Sequence, residues 1–127
     1  MKTTGWMCTM FSLLWMLSST ATALAGEADV VGVKASSGIN GTWSFSVTVR
    51  HDDEGWDHYA DRWAVLGPGE KILGTRVLMH PHVGEQPFTR SLAGVEIPEG
   101  LSTVVVRAHD SVHGYGGEEV EVELKLK

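Results

Sequence analysis

The strongest constraint on the fold is a strict alternation of apolar and polar residues over Thr42–Arg50, where the sequence reads TWSFSVTVR. Trp43, Phe45, Val47 and Val49 share one parity, and small hydroxyl residues occupy the positions between them. A period of two places these two sets on opposite faces of a β-strand, whereas an amphipathic helix repeats with a period near 3.6. The segment therefore predicts a strand that buries one face.

Similar short runs recur along the chain, separated by turns rich in glycine, proline or acidic residues. Turn signals about every eight to twelve residues indicate many short strands rather than helices. The predicted strands are Asp29–Ser36, Thr42–Arg50, Asp57–Leu66, Lys71–Met79, Phe88–Ile97, Leu101–His109 and Glu119–Lys125. The sequence thus predicts an all-β domain, a seven-stranded β-sandwich.

Residues 1–25 predict a secretory signal peptide that is removed from the mature protein. Lys2 provides a basic start, Met10–Leu17 is apolar, and Ala23-Leu24-Ala25 matches a small-residue cleavage site. The apolar run is too short for a membrane span. Cys8 is the only cysteine and does not follow the cleavage point, so we expect no stable membrane anchor. Residues 26–127 are then a single cysteine-free β-sandwich domain, periplasmic or secreted.

Seven short strands with a tryptophan, Trp63, in the third resemble the β-sandwich of immunoglobulin and fibronectin type III domains. The resemblance implies that Trp63 is buried. The chain departs from the antibody pattern because it has no cysteine pair between the second and sixth strands and no tyrosine near the start of the sixth. The segments Gly55–Asp61 and His109–Gly114 also resemble parts of small uncharacterised exported bacterial proteins, which implies export and no particular activity.

The histidines are predicted to gather at one end of this sandwich. Strands that alternate in direction bring the end of the second strand, the start of the third and the ends of the fourth and sixth together. All six histidines lie at or next to these strand ends: His51, His58, His80, His82, His109 and His113. We expect His58 and His109 to stand side by side on the outer face of their sheet, and His51 to face the top of the core.

Five of these histidines form a predicted metal site: His58, His80, His82, His109 and His113. Clustered imidazoles repel one another when protonated and are stabilised around a cation. Carboxylates close in sequence that could ligate or orient the imidazoles are Asp57, Asp61, Glu85 and Asp110. Imidazole donors without a thiolate favour copper or zinc ions.

The alternative is a metal-free immunoglobulin-like module that binds another exported protein or a glycan. In that case the histidines tune docking with pH, and aromatic side chains at the same end supply the contact surface. The candidates are Trp56, Tyr59 and Tyr115, although we expect Trp56 to cover the top of the core.

Two other classes of function are disfavoured. The net charge is −6 and the chain has no basic cluster, which disfavours binding of nucleic acid. Ser111 lies near His109 and Asp110, but residues so close within one loop cannot form a nucleophile–base relay. We therefore expect no enzymatic activity.

Overall fold

Two antiparallel sheets make up the computed structural model, which describes residues 26–125. The strands are β1 (Asp29–Ser37), β2 (Thr42–Arg50), β3 (Ala60–Leu66), β4 (Ile72–Val77), β5 (Phe88–Glu96), β6 (Thr103–Asp110), β7 (Gly114–Tyr115) and β8 (Val120–Glu123). One sheet has the order β1-β2-β5. The other places β4, β3 and β6 side by side, and both β7 and β8 pair with β6.

The prediction of an all-β domain with two sheets is confirmed. Residues 26–125 contain eight strands rather than the predicted seven, because Gly114 and Tyr115 pair with the end of β6 as the short strand β7. Among residues 26–125 only Pro68–Glu70 is helical, as a 3-10 turn, and no helix there is long and apolar enough to cross a membrane. The predicted signal peptide lies outside the described residues.

The core lies between the sheets and follows the alternation of the sequence. From β2, Trp43, Phe45, Val47 and Val49 are all buried, as their shared parity predicts. Trp63 of β3 is fully buried opposite them, in the position that the resemblance implied. Burial of these large side chains removes apolar surface from water, which stabilises the fold by about 25 cal/mol for each Å² buried.

A β-bulge between β3 and β6 decides which residues reach the top of this core. Ala60 pairs with Asp110 and Arg62 pairs with His109, so Asp61 is an extra residue in β3. Ala60 consequently faces the core beside Asp110, which follows the regular alternation of β6, and both are fully buried. Arg62 and His109 lie on the outer face. Regular alternation from the buried Trp63 would point Ala60 outward, but the bulge shifts the alternation by one residue and turns Ala60 inward.

The start of the described chain is fastened across the glycine-rich loop between β7 and β8. The backbone N–H of Val30 donates to the carbonyl of Glu118 at 2.9 Å, and the N–H of Glu118 donates to Asp29 Oδ1 at 2.7 Å. A Cβ atom on Gly117 would overlap the carbonyl oxygen of Ala28. Glycine is therefore required at this position for the two segments to approach each other.

We predict that Gly117→Ala lowers the free energy of unfolding by about 2 kcal/mol, because the methyl group meets rigid backbone and forces the segments apart. Urea denaturation followed by tryptophan fluorescence measures this loss. Gly32→Ala is the control, since a Cβ there meets Thr48 only at 3.8 Å. Equal stability of the two variants would contradict the proposed close packing.

Candidate metal centre

The two sheets each send one polar side chain into the top of the core. His51 directly follows β2 and continues the inward parity of Val47 and Val49. Asp110 ends β6 and continues the inward parity of Ala108 by the regular alternation of that strand. A histidine and a carboxylate therefore face each other where the apolar core ends.

His58 joins this pair from the loop before β3. A tight turn holds it: its N–H donates to the carbonyl of Gly55 at 3.2 Å, and its carbonyl accepts from the N–H of Glu54 at 2.8 Å. Gly55 has a φ of 110°, which favours glycine. This turn displaces the start of β3 to Ala60, later than the sequence predicted, and aims the His58 ring at the top of the core.

His51, His58 and Asp110 form a compact buried group that could hold a metal ion. Their ligand atoms all lie within 4.8 Å of one another. His58 Nε2 lies 3.3 Å from His51 Nε2 and 3.2 Å from Asp110 Oδ1. Metal–ligand bonds near 2 Å allow one ion to be shared by atoms this close.

The ring of His51 is held on both sides. Its Nδ1 lies 2.6 Å from Asp53 Oδ1 and its Nε2 lies 2.9 Å from the carbonyl oxygen of Gly26. Both partners only accept hydrogen bonds, so this arrangement suits a doubly protonated ring. Burial alone would lower the pKa of His51, but the hydrogen bond and charge of Asp53 outweigh it and raise the pKa above 6.5.

Asp53 links the His51 ring to two other segments. Its Oδ1 also accepts the N–H of Ala60 at 3.0 Å, and its Oδ2 accepts the N–H of His82 at 2.7 Å. Burial would raise the pKa of Asp53, but these hydrogen bonds and that from His51 lower it below 3.8. The carboxylate therefore stays ionised and can orient His51 with Nε2 facing a metal, as carboxylates commonly do for ligating histidines.

Asp110 is the most deeply buried of the three residues in the group. It is fully buried, and its Oδ1 accepts the N–H groups of Val112 and His113 at 2.9 and 2.7 Å. Its Oδ2 has no hydrogen-bond donor among residues 26–125. Burial would raise the pKa of Asp110, but the hydrogen bonds from the backbone of His113 and Val112 lower it below 3.8. The carboxylate is thus an anion whose second oxygen lacks a partner.

Of the five predicted ligands, His58 belongs to this group and His113 lies beside it. His113 Nδ1 is 3.2 Å from Asp110 Oδ1, and its ring centroid is 5.0 Å from that of His58. The side chain of His113 is 39% exposed, so it lies at the solvent-facing rim.

His109 lies outside the group because both of its ring nitrogens have other partners. Its Nδ1 donates to Asp61 Oδ1 at 2.5 Å, and its Nε2 accepts from Arg62 Nη2 at 3.0 Å. The expected neighbour of His58 was His109, whereas the structure pairs His58 with Asp110. His109 and Asp110 keep the regular alternation of β6, outward and inward, whereas the bulge at Asp61 shifts the alternation of β3 and turns Ala60 towards Asp110.

His80 and His82 form a separate pair above β5. Their ring centroids are 4.6 Å apart, and the His82 ring stacks on Phe88 at 3.9 Å. His82 Nε2 accepts from Arg90 Nη2 at 2.9 Å. Burial, then the charges of Arg90 and His80, lower the pKa of His82 below 6.5. Its ligation of a metal stays a prediction, and the structure connects it to the group only through Asp53.

The comparisons with known proteins identify neither a family nor an activity. No family model and no solved structure matches the chain. A protein of Halomicrobium mukohataei described as "Putative lipoprotein" is 48% identical over 99 residues, which cover 78% of this chain and 48% of that protein. The chain therefore spans about half the length of this relative.

We predict that Asp53→Asn lowers the free energy of unfolding by about 3 kcal/mol, the usual cost of leaving one partner of a buried ion pair alone. The neighbouring Asp52→Asn is the matched control, because Asp52 is exposed. Urea denaturation of metal-free protein near pH 5.5 compares the two variants with the parent. Similar small losses in both variants would contradict the role of Asp53.

The Asp53→Asn loss is also expected to depend on pH. The lowered pKa of Asp53 contributes stability that is present above 3.8 and disappears as pH falls through the folded-state pKa. The raised pKa of His51 contributes stability that is present below 6.5 and disappears as pH rises through its folded-state pKa. The difference in the free energy of unfolding between parent and Asp53→Asn should therefore be largest between pH 3.8 and pH 6.5.

Proposed function

We propose that the protein is an exported β-sandwich that binds one transition metal ion, copper or zinc, through His51, His58 and Asp110 at the top of its core. The observation that carries this proposal is the buried Asp110 carboxylate, whose Oδ2 has no donor among residues 26–125. A buried acceptor without a partner costs about 1–3 kcal/mol, and more when it is charged. A cation bound there would offset this cost.

The electrostatics of the group support the same proposal. Asp53 and Asp110 both have lowered pKa values, so two carboxylates and the ring of His51 meet within a buried site. The positive charge of a doubly protonated His51 ring balances only one of these two carboxylates. A divalent cation that displaces the Nε2 proton of His51 would neutralise the second carboxylate and leave the Nδ1–Asp53 hydrogen bond in place.

The donor set narrows the choice of metal. Two imidazole nitrogens and one carboxylate oxygen suit copper and zinc, whereas calcium and magnesium prefer oxygen ligands alone. His113 at the rim is a candidate fourth ligand. Three protein ligands with an accessible fourth position resemble an open rather than a structural site, but we propose binding and not catalysis.

Export is the second part of the proposal. We propose that residues 1–25 are removed and that the domain works outside the cytoplasm, in a periplasm or in the medium. The description of the Halomicrobium mukohataei protein supports an exported, membrane-associated role for that relative. We also propose the fibronectin type III arrangement for the sandwich, because β1, β2 and β5 oppose a sheet in which β3 pairs with β4 and β6.

We predict that the parent protein binds one equivalent of Cu(II) or Zn(II), and that His58→Ala weakens this binding at least about tenfold because it removes one ligand. Isothermal titration of tag-free, metal-stripped protein at neutral pH gives the stoichiometry and affinity. His80→Ala is the matched control, because His80 is an exposed histidine at the same end and lies outside the group.

Circular dichroism of each variant establishes that it is folded before titration. Asp110→Asn provides a second test, since it keeps the size of the side chain and removes its charge. The absence of saturable binding by the parent, or equal losses in His58→Ala and His80→Ala, would refute the proposed site.

A second candidate function is docking on another exported protein or a glycan, and the exposure of Trp56 favours it. We expected Trp56 to cover the core, but it is 68% exposed and packs edge-on against Tyr59, with ring centroids 5.6 Å apart. Val112 on the neighbouring loop is also exposed. Exposed aromatic side chains of this kind are frequent anchors in interfaces.

We predict that Trp56→Ala changes the free energy of unfolding by less than about 0.5 kcal/mol, because the side chain contributes little to the core. Under the docking hypothesis, the same substitution abolishes binding of the domain to the exported proteins and glycans of the cell that produces it. Metal chelators have no effect on that binding. Binding that requires the metal, or that survives Trp56→Ala, would contradict a metal-free docking role.

A further inference from the structure

The first described residue lies directly at the metal group. The carbonyl oxygen of Gly26 is 2.9 Å from His51 Nε2, the atom that we assign to the metal. A cavity of about 300 Å³ opens beside it and is lined by Gly26, Glu27, Asp29, Arg50, His51 and Asp52. Gly26 is thus the backbone group that approaches the candidate ligand atoms from the side of the first sheet.

The residues that follow Gly26 are fixed by hydrogen bonds and burial, and these contacts hold Gly26 in place. Asp29 accepts the N–H of Glu118 at 2.7 Å, and Val30 donates to the carbonyl of Glu118 at 2.9 Å. Ala28 is fully buried and its carbonyl lies against Gly117. Among residues 26–125, only Gly26 and Glu27 precede this anchored stretch, so the position of Gly26 beside His51 follows from the contacts of Ala28, Asp29 and Val30.

Gly26 is also the residue that the predicted cleavage after Ala25 would convert into an amino terminus. In the precursor its nitrogen belongs to an amide, which has no lone pair available to a metal at neutral pH. After cleavage that nitrogen is an amine, and the amine and carbonyl oxygen of one residue can close a five-membered chelate ring. No side chain hinders the approach, because the residue is glycine.

We propose that removal of the leader completes the metal site, with the α-amine and carbonyl oxygen of Gly26 as ligands beside His51, His58 and Asp110. This inference rests on the proposed metal-binding function and extends it. Three nitrogen donors with oxygen donors in addition form the set that Cu(II) prefers, so the mature site selects Cu(II) over Zn(II). The precursor lacks the amine and holds copper weakly, which confines tight loading to the exported protein.

The test compares one molecule before and after its Gly26 amine is released. Residues 26–127 are fused behind a carrier domain whose protease leaves no extra residue, so cleavage turns the Gly26 amide into an amine. Cu(II) affinity is measured by competition titration on both forms, and the ligand nitrogens are counted from hyperfine structure in electron paramagnetic resonance. A third protein, released with Ser-Ala before Gly26, keeps a free amine but displaces it.

We expect release of Gly26 to tighten Cu(II) binding at least about tenfold and to add one nitrogen to the spectrum, and the Ser-Ala extension to reverse both changes. Zn(II) affinity should change less than Cu(II) affinity. Equal Cu(II) affinities and spectra in all three proteins would overturn the role of the amine while metal binding itself stands. Failure of every form to bind Cu(II) or Zn(II) would overturn the proposed function and this inference with it.

Discussion

The hydrogen bonds of the Asp53 carboxylate are the interaction on which the histidine-bearing end of the molecule depends. Three groups meet on its two oxygens: the His51 ring after β2, the N–H of Ala60 at the start of β3 and the N–H of His82 after β4. A buried carboxylate is costly unless it is this well satisfied. Once satisfied, it fixes the ring of His51 and the loop that carries His82 in one arrangement.

The contrast between the two buried carboxylates explains why we assign the metal to one and not the other. Asp53 has a partner for each oxygen, so it acts as a support that orients His51. Asp110 has donors only on Oδ1, and its Oδ2 faces no donor among residues 26–125. One sheet therefore supplies an oriented imidazole and the other an incompletely satisfied anion. His58 closes the gap between them from a glycine-dependent turn.

Much of this fold was predictable because local patterns determine it. The alternation in Thr42–Arg50 predicted β2 with the observed bounds and burial. The gathering of histidines at one end followed from strand direction alone. His51 was expected at the top of the core from its parity, yet its role was missed because the site lies in the core rather than on the outer face. The parity of a polar residue at the end of a buried strand was the signal that could have found it.

Two features were beyond the sequence because they depend on non-local pairing. The bulge at Asp61 arises from the register between β3 and β6, and it turns Ala60 of β3 towards the core. The approach of Gly26 to His51 depends on contacts between the first strand and the loop near Gly117, almost ninety positions away. Neither leaves a periodic trace in the chain. Asp110, in contrast, continues the inward parity of Val106 and Ala108, and this parity was the signal that could have found it.

Anomalous X-ray diffraction from crystals of the copper- or zinc-loaded mature protein, collected at the absorption edge of the metal, locates the bound ion. We predict one strong anomalous peak at the top of the core, about 2.0–2.2 Å from the Nε2 atoms of His51 and His58 and from a carboxylate oxygen of Asp110. A peak at His80 and His82 or at His109 instead, or no peak above those of surface sites, would contradict it.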